Sequence, residues 1–247
     1  MDPAAHEAER IRAEYRRRDA AGGPGSSPWL DPVYRVALQE LEWTLLDLVR
    51  RAGVPLAGAR ALEVGCGSGY FLSRLLDYGA AEAAGIDLVE ERIAVARQRY
   101  PRLELVAGDA TSLPWPDESF GVVTQFTCLS SVLDPAVRGA IAAEMWRVLA
   151  PGGAVVSYDV RPPSWPVRAL RRVGSLRGPA GGGTPAQPVA LEELRAWFPE
   201  GELTHRAVGV DADVGGLLAR LRLSPRLGAR VPALRVHELA VVRKEAG

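Results

Sequence analysis

Three short segments carry glycine and acidic residues at spacings that suit the binding of a nucleotide-like ligand. Residues 62–71 read L-E-V-G-C-G-S-G-Y-F, an apolar run followed by glycines at alternate positions. Asp87 ends a second apolar run, where a carboxylate can accept both hydroxyls of a ribose or cap the next helix. Asp109 and Ala110 end a third apolar run. There the Asp109 carboxylate can accept from the exocyclic amine of adenine, and the Ala110 amide can donate to a ring nitrogen. Open α/β sheets bind ligands at such strand ends.

The glycine spacing separates two kinds of cofactor. A nicotinamide dinucleotide fingerprint reads G-x-G-x-x-G, and its third glycine lets the helix pack closely on the strand. Counted from Gly65, the position of that third glycine is occupied by Tyr70, and Gly69 stands one residue earlier. A bulky Tyr70 would crowd a pyrophosphate at the helix N-terminus, so the pattern disfavours a nicotinamide dehydrogenase. A glycine-rich turn without any ligand is the other alternative.

Five motifs in this order resemble the class I S-adenosylmethionine-dependent methyltransferases, in particular the small-molecule, methyltransferase type 11-like group. The resemblance covers residues 58–160. Each motif is weak alone, whereas their order and spacing are specific. The motifs are E-V-G-C-G-S-G at 63–69, Asp87, G-D-A-T-S-L-P at 108–114, D-E-S-F-G-V-V at 117–123 and L-A-P-G-G at 149–153. The chain departs from the family at Gly121, where an aspartate is usual and some loosening is expected, and in lacking a histidine within 127–133.

The resemblance implies S-adenosylmethionine as the cofactor and S-adenosylhomocysteine as its product. Gly65, Gly67 and Gly69 would shape a loop around the methionine part of the cofactor, with Cys66 inside that loop. Glu63 would steady the loop or reach the amino group of the cofactor through water. No metal ion is implied.

The resemblance also assigns the other end of the cofactor. Asp87 would hold the ribose, and Leu88 would lie on one face of the adenine. Asp109 and Ala110 would read the adenine edge. Gln125, at the end of the predicted fourth strand, would lie where the methionyl group and the acceptor meet.

Methyl transfer to a hydroxyl is helped by a general base, which contributes typically about 10²–10⁴-fold. Asp159, at the end of the predicted fifth strand, is the catalytic candidate, as a base or as a binder of a polar acceptor. An equal interpretation is that Asp159 only caps a neighbouring element or forms a salt bridge. Tyr158 is expected on the other side of the strand. Tyr15 and Tyr34, in the N-terminal helices, would reach the cofactor or simply pack.

The three histidines are expected to be structural or solvated. His6 is predicted on a solvated helix surface, although a helix folding over the cofactor would bring it to the site. His205 and His237 fall in the last two predicted strands, which we expect to be remote from the cofactor edge.

These residues need a scaffold in which strands and helices alternate. The pattern predicts an α/β fold, a Rossmann-like doubly wound seven-stranded sheet, mostly parallel with an antiparallel last strand and helices on both faces. The link between the third and fourth strands is the least clear. Strands are predicted at 60–64, 82–87, 103–107, 121–126, 154–160, 203–210 and 235–243, and helices at 4–19, 31–53, 69–78, 90–99, 136–149 and 190–198.

Residues 1–58 are predicted to form an N-terminal helical cap and residues 59–243 the S-adenosylmethionine-binding domain, with a lid insertion at about 161–188. This insertion has no acidic residue. It would be a substrate lid, or a basic amphipathic helix that contacts a membrane surface, an anionic lipid or a phosphorylated acceptor. Its arginines are Arg161, Arg168, Arg171, Arg172 and Arg177, and its apolar residues at helical spacing are Trp165, Val167, Leu170, Val173 and Leu176.

The composition excludes several classes of function. The 247-residue chain has a formal net charge of zero and a pI of about 6.9, which argues against a nucleic-acid partner. Cys66 and Cys128 lack metal-ligand spacing and are expected to be free thiols. No signal peptide and no apolar run of transmembrane length are apparent, so a cytoplasmic location is expected. A monomer or a homodimer would fit.

Together these features predict an enzyme that methylates a small or amphiphilic molecule, with oxygen of a secondary metabolite as the expected acceptor. Nitrogen and carbon remain alternatives because the base is not evident. A lipid or quinone methyltransferase, with peripheral membrane contact, is the next interpretation. A protein of this fold that binds the cofactor without transferring methyl is the last.

Overall fold

The computed structural model describes residues 3–21, 32–165, 167–168, 185–209 and 231–246. A single seven-stranded sheet organises them. Its strands are β1 (Arg60–Val64), β2 (Glu82–Asp87), β3 (Glu104–Ala107), β4 (Phe120–Phe126), β5 (Leu149–Val160), β6 (Glu202–Val208) and β7 (His237–Arg243). They lie in the order β3-β2-β1-β4-β5-β7-β6.

The strand pairing confirms the predicted fold class. Strands β3, β2, β1, β4 and β5 are parallel neighbours, whereas β7 is antiparallel to both β5 and β6. In the central strands β1 and β4, apolar side chains are buried on both faces, as a parallel sheet covered by helices requires. All seven strands occur at the predicted places.

Strand β5 begins earlier than predicted. Residues 151–153, which the sequence suggests are a turn, belong to the strand, and its register with β4 shifts between Phe120 and Val122. Gly152 has a φ of +73°, and a Cβ on Gly153 would lie 2.6 Å from the Gly121 carbonyl oxygen. The two glycines therefore let the strand continue through an irregularity that other residues would interrupt.

Helices cover both faces of the sheet, as predicted. The described helices are α1 (Pro3–Ala21), α2 (Pro32–Arg51), α3 (Tyr70–Asp77), α4 (Glu90–Arg99), α5 (Pro135–Val148) and α6 (Leu191–Trp197). Two neighbouring residues of β5 face opposite sides of the sheet. Val156 packs in the core with α2, α3 and α4, whereas Val155 packs in the core with α5 and α6.

The connection from β3 to β4, which the sequence left unclear, runs through residues 108–119 without a helix. Side chains of α5 hold it in place. The Glu144 carboxylate accepts from the Leu113 amide at 2.7 Å, and Arg147 donates to the carbonyl oxygens of Leu113 and Trp115. These contacts fix the segment that carries the third ligand-binding motif.

The cap and lid boundaries remain predictions. Side chains of α2 such as Leu45 pack in the same core as the sheet. Within the predicted lid, Val167 is buried and Trp165 is 74% exposed, while residues 169–184 lie outside the described residues. Among the helices that the structure describes, none has the length and apolarity needed to cross a membrane.

Candidate active site

A cavity of about 270 Å³ opens at the carboxyl edge of the parallel strands. Its wall includes the residues that follow β1, β2, β3 and β4, and α1 lies across it with Glu7, Ile11 and Tyr15. The parallel topology brings these strand ends together, as predicted. The predicted cofactor residues that line the cavity are Tyr15, Gly65, Asp87, Leu88, Asp109 and Ala110.

The glycine loop follows β1 in a conformation that side chains oppose. Gly65, Gly67 and Gly69 have φ values of +73°, +51° and +79°. A Cβ on Gly65 would lie 2.7 Å from the Cys128 sulfur, so this residue also lets the segment after β4 approach. Cys66 is buried behind the loop, and burial raises the pKa of its thiol. The loop shape thus depends on glycine for two reasons, backbone angle and close packing.

Asp87 holds the glycine loop to the start of α4. Its carboxylate accepts from the Gly67 amide at 2.8 Å and from the Val89 amide at 2.9 Å. Burial raises the pKa of Asp87, although both amides favour the ionised form. The first turn of α4 has no side-chain cap, because Asp87 accepts only from the amide of the N-cap residue Val89, so the capping alternative is not borne out. Asp87 also lines the cavity.

Glu63 is a buried acid on β1, and one of its carboxyl oxygens lacks a hydrogen-bond partner in the described part of the chain. It is 2% exposed, and its Oε2 atom has no hydrogen-bond partner within the described structure. Burial, followed by the nearby Asp87 carboxylate, raises the pKa of Glu63 well above its ordinary value. A buried polar atom without a partner is costly, and a ligand that donates a hydrogen bond would satisfy it.

The residues predicted to read the adenine edge, Asp109 and Ala110, follow β3. Asp109 accepts at 2.8 Å from both the amide and the hydroxyl of Thr111, which orients its carboxylate beside Ala110. Both residues line the cavity.

Gln125 and Asp159 do not line the cavity but lie behind it, almost fully buried. The Gln125 side-chain amide donates to Asp159 at 3.0 Å and to Ser157 at 2.6 Å. The Asp159 carboxylate also accepts from the Ser130 amide at 3.2 Å. Burial raises the pKa of Asp159 to about 6. Tyr158 points to the opposite face of β5, as expected.

The sequence reasoning missed the residues that attach α1 to the segment after β4. Glu7 is 5% exposed, accepts from the Leu133 amide and pairs with Arg10, whose hydrogen bond lowers the pKa of Glu7. Arg10 donates to the Ser131 carbonyl at 2.6 Å, and the Tyr15 hydroxyl lies 3.0 Å from the Ser131 hydroxyl. The only sequence signal was the i,i+3 spacing of Glu7 and Arg10, which does not reveal a distant partner.

The other end of α1 is attached to α4. Arg92 makes a two-point ion pair with Asp19, at 2.6 and 2.9 Å, and its guanidinium lies 4.3 Å from the centre of the Tyr15 ring. Arg16 pairs with Glu91 at 3.1 Å. Helix α1 is therefore fastened over the cavity at both ends, largely by polar contacts.

The histidines match the expectations with one correction. His6 is exposed, and His205 lies 2.8 Å from Glu238. His237 is not remote from the cofactor edge, because antiparallel β7 starts there and pairs His237 with Val160 at the carboxyl end of β5. Burial lowers the pKa of His237 to about 4, so it is neutral at ordinary pH. Tyr34 is not among the residues that line the cavity.

Comparison with known proteins identifies the family. Residues 62–157 match a family described as a methyltransferase domain. A probable S-adenosylmethionine-dependent methyltransferase from Mycolicibacterium smegmatis is 39% identical over 97 residues, which are 39% of this chain and 36% of that protein. Demethylmenaquinone methyltransferase from Renibacterium salmoninarum is 30% identical over 184 residues, which are 72% of this chain and 73% of that protein.

Solved structures show the same fold. Magnesium protoporphyrin IX methyltransferase from Synechocystis PCC 6803, with bound SAH, superposes with a TM-score of 0.61 at 16% identity, and the alignment covers 93% of this chain and 94% of that one. The chain belongs to the class I S-adenosylmethionine-dependent methyltransferases, and it is an enzyme of that family with S-adenosylmethionine as its cofactor.

The residues present fit this cofactor. The Glu63 Oε2 atom has no hydrogen-bond partner among the described residues and would be satisfied by a donor such as an amino group, although Glu63 is not among the residues that line the cavity. Asp87 and Asp109 line the same cavity from neighbouring strand ends. The individual roles assigned to these residues stay predictions.

Proposed function

We propose that this methyltransferase acts on a small amphiphilic acceptor, a secondary metabolite with an aromatic part, and methylates an acidic hydroxyl oxygen on it. One observation carries the proposal, which is a row of aromatic side chains that starts at the cavity wall. Phe126 lines the cavity and stacks on Phe71, with ring centroids 4.2 Å apart and planes inclined by 13°. Tyr158 lies 6.2 Å from Phe126, and His237 stacks on Tyr158 at 4.8 Å.

This row follows the carboxyl edge of the sheet from β4 to β7, and Phe126 is its member that lines the cavity. Phe71, Tyr158 and His237 are only partly buried. Aromatic side chains bind planar apolar groups well, since offset and edge contacts add to the burial of apolar area. The neutral state of His237 keeps the row uncharged. These features support an acceptor with a flat apolar portion.

The groups around the cavity support a hydroxyl oxygen as the acceptor atom. Its described lining contains no histidine, and Glu7 is already engaged by Arg10 and by the Leu133 amide. Asp159 is buried behind Gln125 and Ser130, a position that favours support of the site over proton abstraction. An acidic hydroxyl, such as a phenol, needs less help from a base than an aliphatic alcohol because its lower pKa makes its proton easier to remove.

The chain's own residues would bind, orient and exclude water. When bound, S-adenosylmethionine supplies a methyl group on a positively charged sulfur. Glu63 and Asp87 would hold the methionyl and ribose parts, and Asp109 the adenine. Helix α1 would cover the cofactor, and Phe126 would orient the ring of the acceptor. Such positioning can supply roughly 7–11 kcal/mol of the barrier.

A second candidate is methylation of a ring carbon on a quinol. The similarity to demethylmenaquinone methyltransferase extends over 72% of this chain and favours it. A quinol ring would suit the same aromatic row, and an isoprenoid tail would make the acceptor lipid-like. The exposed Trp165 and neighbouring Arg168 would then contact a membrane surface.

One assay separates the candidates. The purified enzyme is incubated with S-adenosylmethionine bearing a trideuterated methyl group and with a panel of one- to three-ring phenols, naphthoquinols, amines and carboxylates. A trideuterated methyl ether on a phenol supports the proposal, whereas label on a naphthoquinol ring carbon supports the second candidate. Label confined to amines or carboxylates rejects both. Flotation with anionic and with neutral vesicles tests the membrane contact separately.

A further inference from the structure

We infer that Asp159 is a positioning residue that, through Gln125 and the backbone of Ser130, fixes the turn against which α1 closes the cofactor cavity. That turn, residues 129–131, follows β4 and is a single 3₁₀ turn. The inference concerns cofactor binding, so it does not depend on which acceptor the enzyme uses.

The first step is the contact between the acid and the turn. The Asp159 carboxylate accepts from the Ser130 amide at 3.2 and 3.3 Å and from its own neighbour, the Val160 amide, at 3.1 Å. Asp159 is 2% exposed, so these bonds are not shared with bulk water. Hydrogen bonds to a buried charged group are the strong ones, because the carboxylate has no alternative partners.

The second step is the orientation of Gln125. An ionised carboxylate only accepts, so the Gln125 Nε2 group must face Asp159, where it lies at 3.0 Å. The Gln125 Oε1 atom then necessarily faces the turn and accepts from the Cys128 amide at 2.9 Å. Without a pure acceptor at residue 159, this orientation would depend only on the Ser157 hydroxyl and on the Cys128 and Leu129 amides, and it would be weakened. Asp159 therefore controls two backbone attachments of the turn, one directly and one through Gln125.

The third step connects the turn to the cavity cover. Ser131 ends the turn and meets α1 twice, through the Arg10 guanidinium at 2.6 Å and the Tyr15 hydroxyl at 3.0 Å. Leu133, two residues later, donates its amide to Glu7. A displacement of the turn would thus be passed directly to the helix that covers the cavity.

Other charged and titratable groups face Asp159 across the sheet. Glu238 on β7 is its partner in the antiparallel register, and Glu238 is itself paired with His205 and Arg161. Burial raises the pKa values of the Cys128 thiol and the Tyr158 hydroxyl, and the nearby Asp159 charge adds to the increase. Both remain neutral through the weakly acidic range, so Asp159 is the member of the turn network expected to titrate there.

The test is the affinity for S-adenosylhomocysteine, which needs no acceptor and no turnover. Asp159→Asn keeps the shape but presents an N–H group toward Ser130 or Gln125, and we expect the dissociation constant measured by calorimetry to rise about tenfold. Hydrogen exchange should quicken in residues 3–21 and 129–131 of the unliganded variant. Asp77→Asn removes an exposed acid paired with Arg74 on α3 and is the matched control, with affinity and exchange unchanged.

A second measurement, the pH dependence of the wild-type affinity, keeps the inference falsifiable if Asp159→Asn does not fold. The pKa values of Asp87 and Glu63 are also raised, so the comparison with Asp159→Asn assigns the inflection to Asp159. Burial raises the pKa of Asp159 to about 6, so lowering the pH through 6 protonates it and removes the pure acceptor. The wild-type affinity for S-adenosylhomocysteine should therefore weaken below about pH 6, and Asp159→Asn should lack that inflection. An equal wild-type affinity on both sides of pH 6 would overturn the inference. A folded Asp159→Asn protein with wild-type affinity and exchange in α1 would overturn it as well.

Discussion

Gly65 is held by two constraints that can be measured apart. Its φ of +73° is a left-handed conformation, and an added Cβ would lie 2.7 Å from the Cys128 sulfur. Gly58 has a similar φ of +75° but nothing within 4 Å of an added Cβ. The pair therefore separates backbone strain from the packing of the cofactor loop.

Gly65→Ala should lose both stability and cofactor affinity, whereas Gly58→Ala should lose stability alone. Each substitution costs about 1–2 kcal/mol of backbone strain, and the contact with Cys128 adds a displacement of the loop in Gly65→Ala. Urea unfolding gives the loss of stability caused by the backbone strain. Calorimetry with S-adenosylhomocysteine gives the change in the dissociation constant caused by the displaced loop. We expect at least about a tenfold weaker affinity for Gly65→Ala only. Equal affinities of the two variants would mean that the loop tolerates the displacement.

At the same residue scale, local motifs made part of the site predictable. The glycine loop, Asp87 and Asp109 each follow a strand within a few residues, so the sequence order alone predicts that they meet at one edge. Glu7 could not be found in this way, since its partner Leu133 is 126 residues away. Nor does a sequence show that Gln125 and Asp159 would hydrogen-bond to one another rather than face a ligand.

Helix α1 is an element whose position depends on few charged contacts. Asp19 is its link to Arg92 on α4, and Arg92 in turn covers the Tyr15 ring beside the cavity.

The strands were predictable because their apolar residues are buried on both faces. The attachment of α1 was not, because a helix of polar and charged residues has no apolar stripe that would indicate its partner.

Asp19→Asn should loosen that end of α1, which Arg16 and Glu91 still attach to α4, and speed the dissociation of S-adenosylhomocysteine. An ion pair at this exposure is worth at most about 1 kcal/mol, so we expect an increase of up to about fivefold, reduced at high salt. Stopped-flow displacement measures the rate. Asp77→Asn, which removes a surface pair with Arg74 on α3, is the control and should leave the rate unchanged. If both variants behave alike, the Asp19 contact does not hold the cover.

At the scale of the whole molecule, Asp159 and His237 make opposite contributions to the pH dependence of the free energy of unfolding. Burial raises the pKa of Asp159 from its ordinary 3.8 to about 6, so the folded state binds more protons at this site between those values. That contribution to the free energy of unfolding falls as the pH rises through the interval. Burial lowers the pKa of His237 from 6.5 to about 4, and its contribution rises with pH over that range.

Between about pH 4 and 6, the contributions of Asp159 and His237 to the free energy of unfolding therefore change with pH in opposite directions. Replacing either residue should leave the pH dependence due to the other. Relative to wild type, Asp159→Asn should gain stability more steeply as the pH rises from 4 to 6, because only the His237 slope remains from this pair. His237→Gln should show the reverse, a stability that declines relative to wild type over the same interval. Urea unfolding at several pH values gives these differences directly, and contributions of all other groups cancel in the subtraction. Curves of wild type and variants that run parallel would show that neither group is protonated differently in the folded and unfolded states.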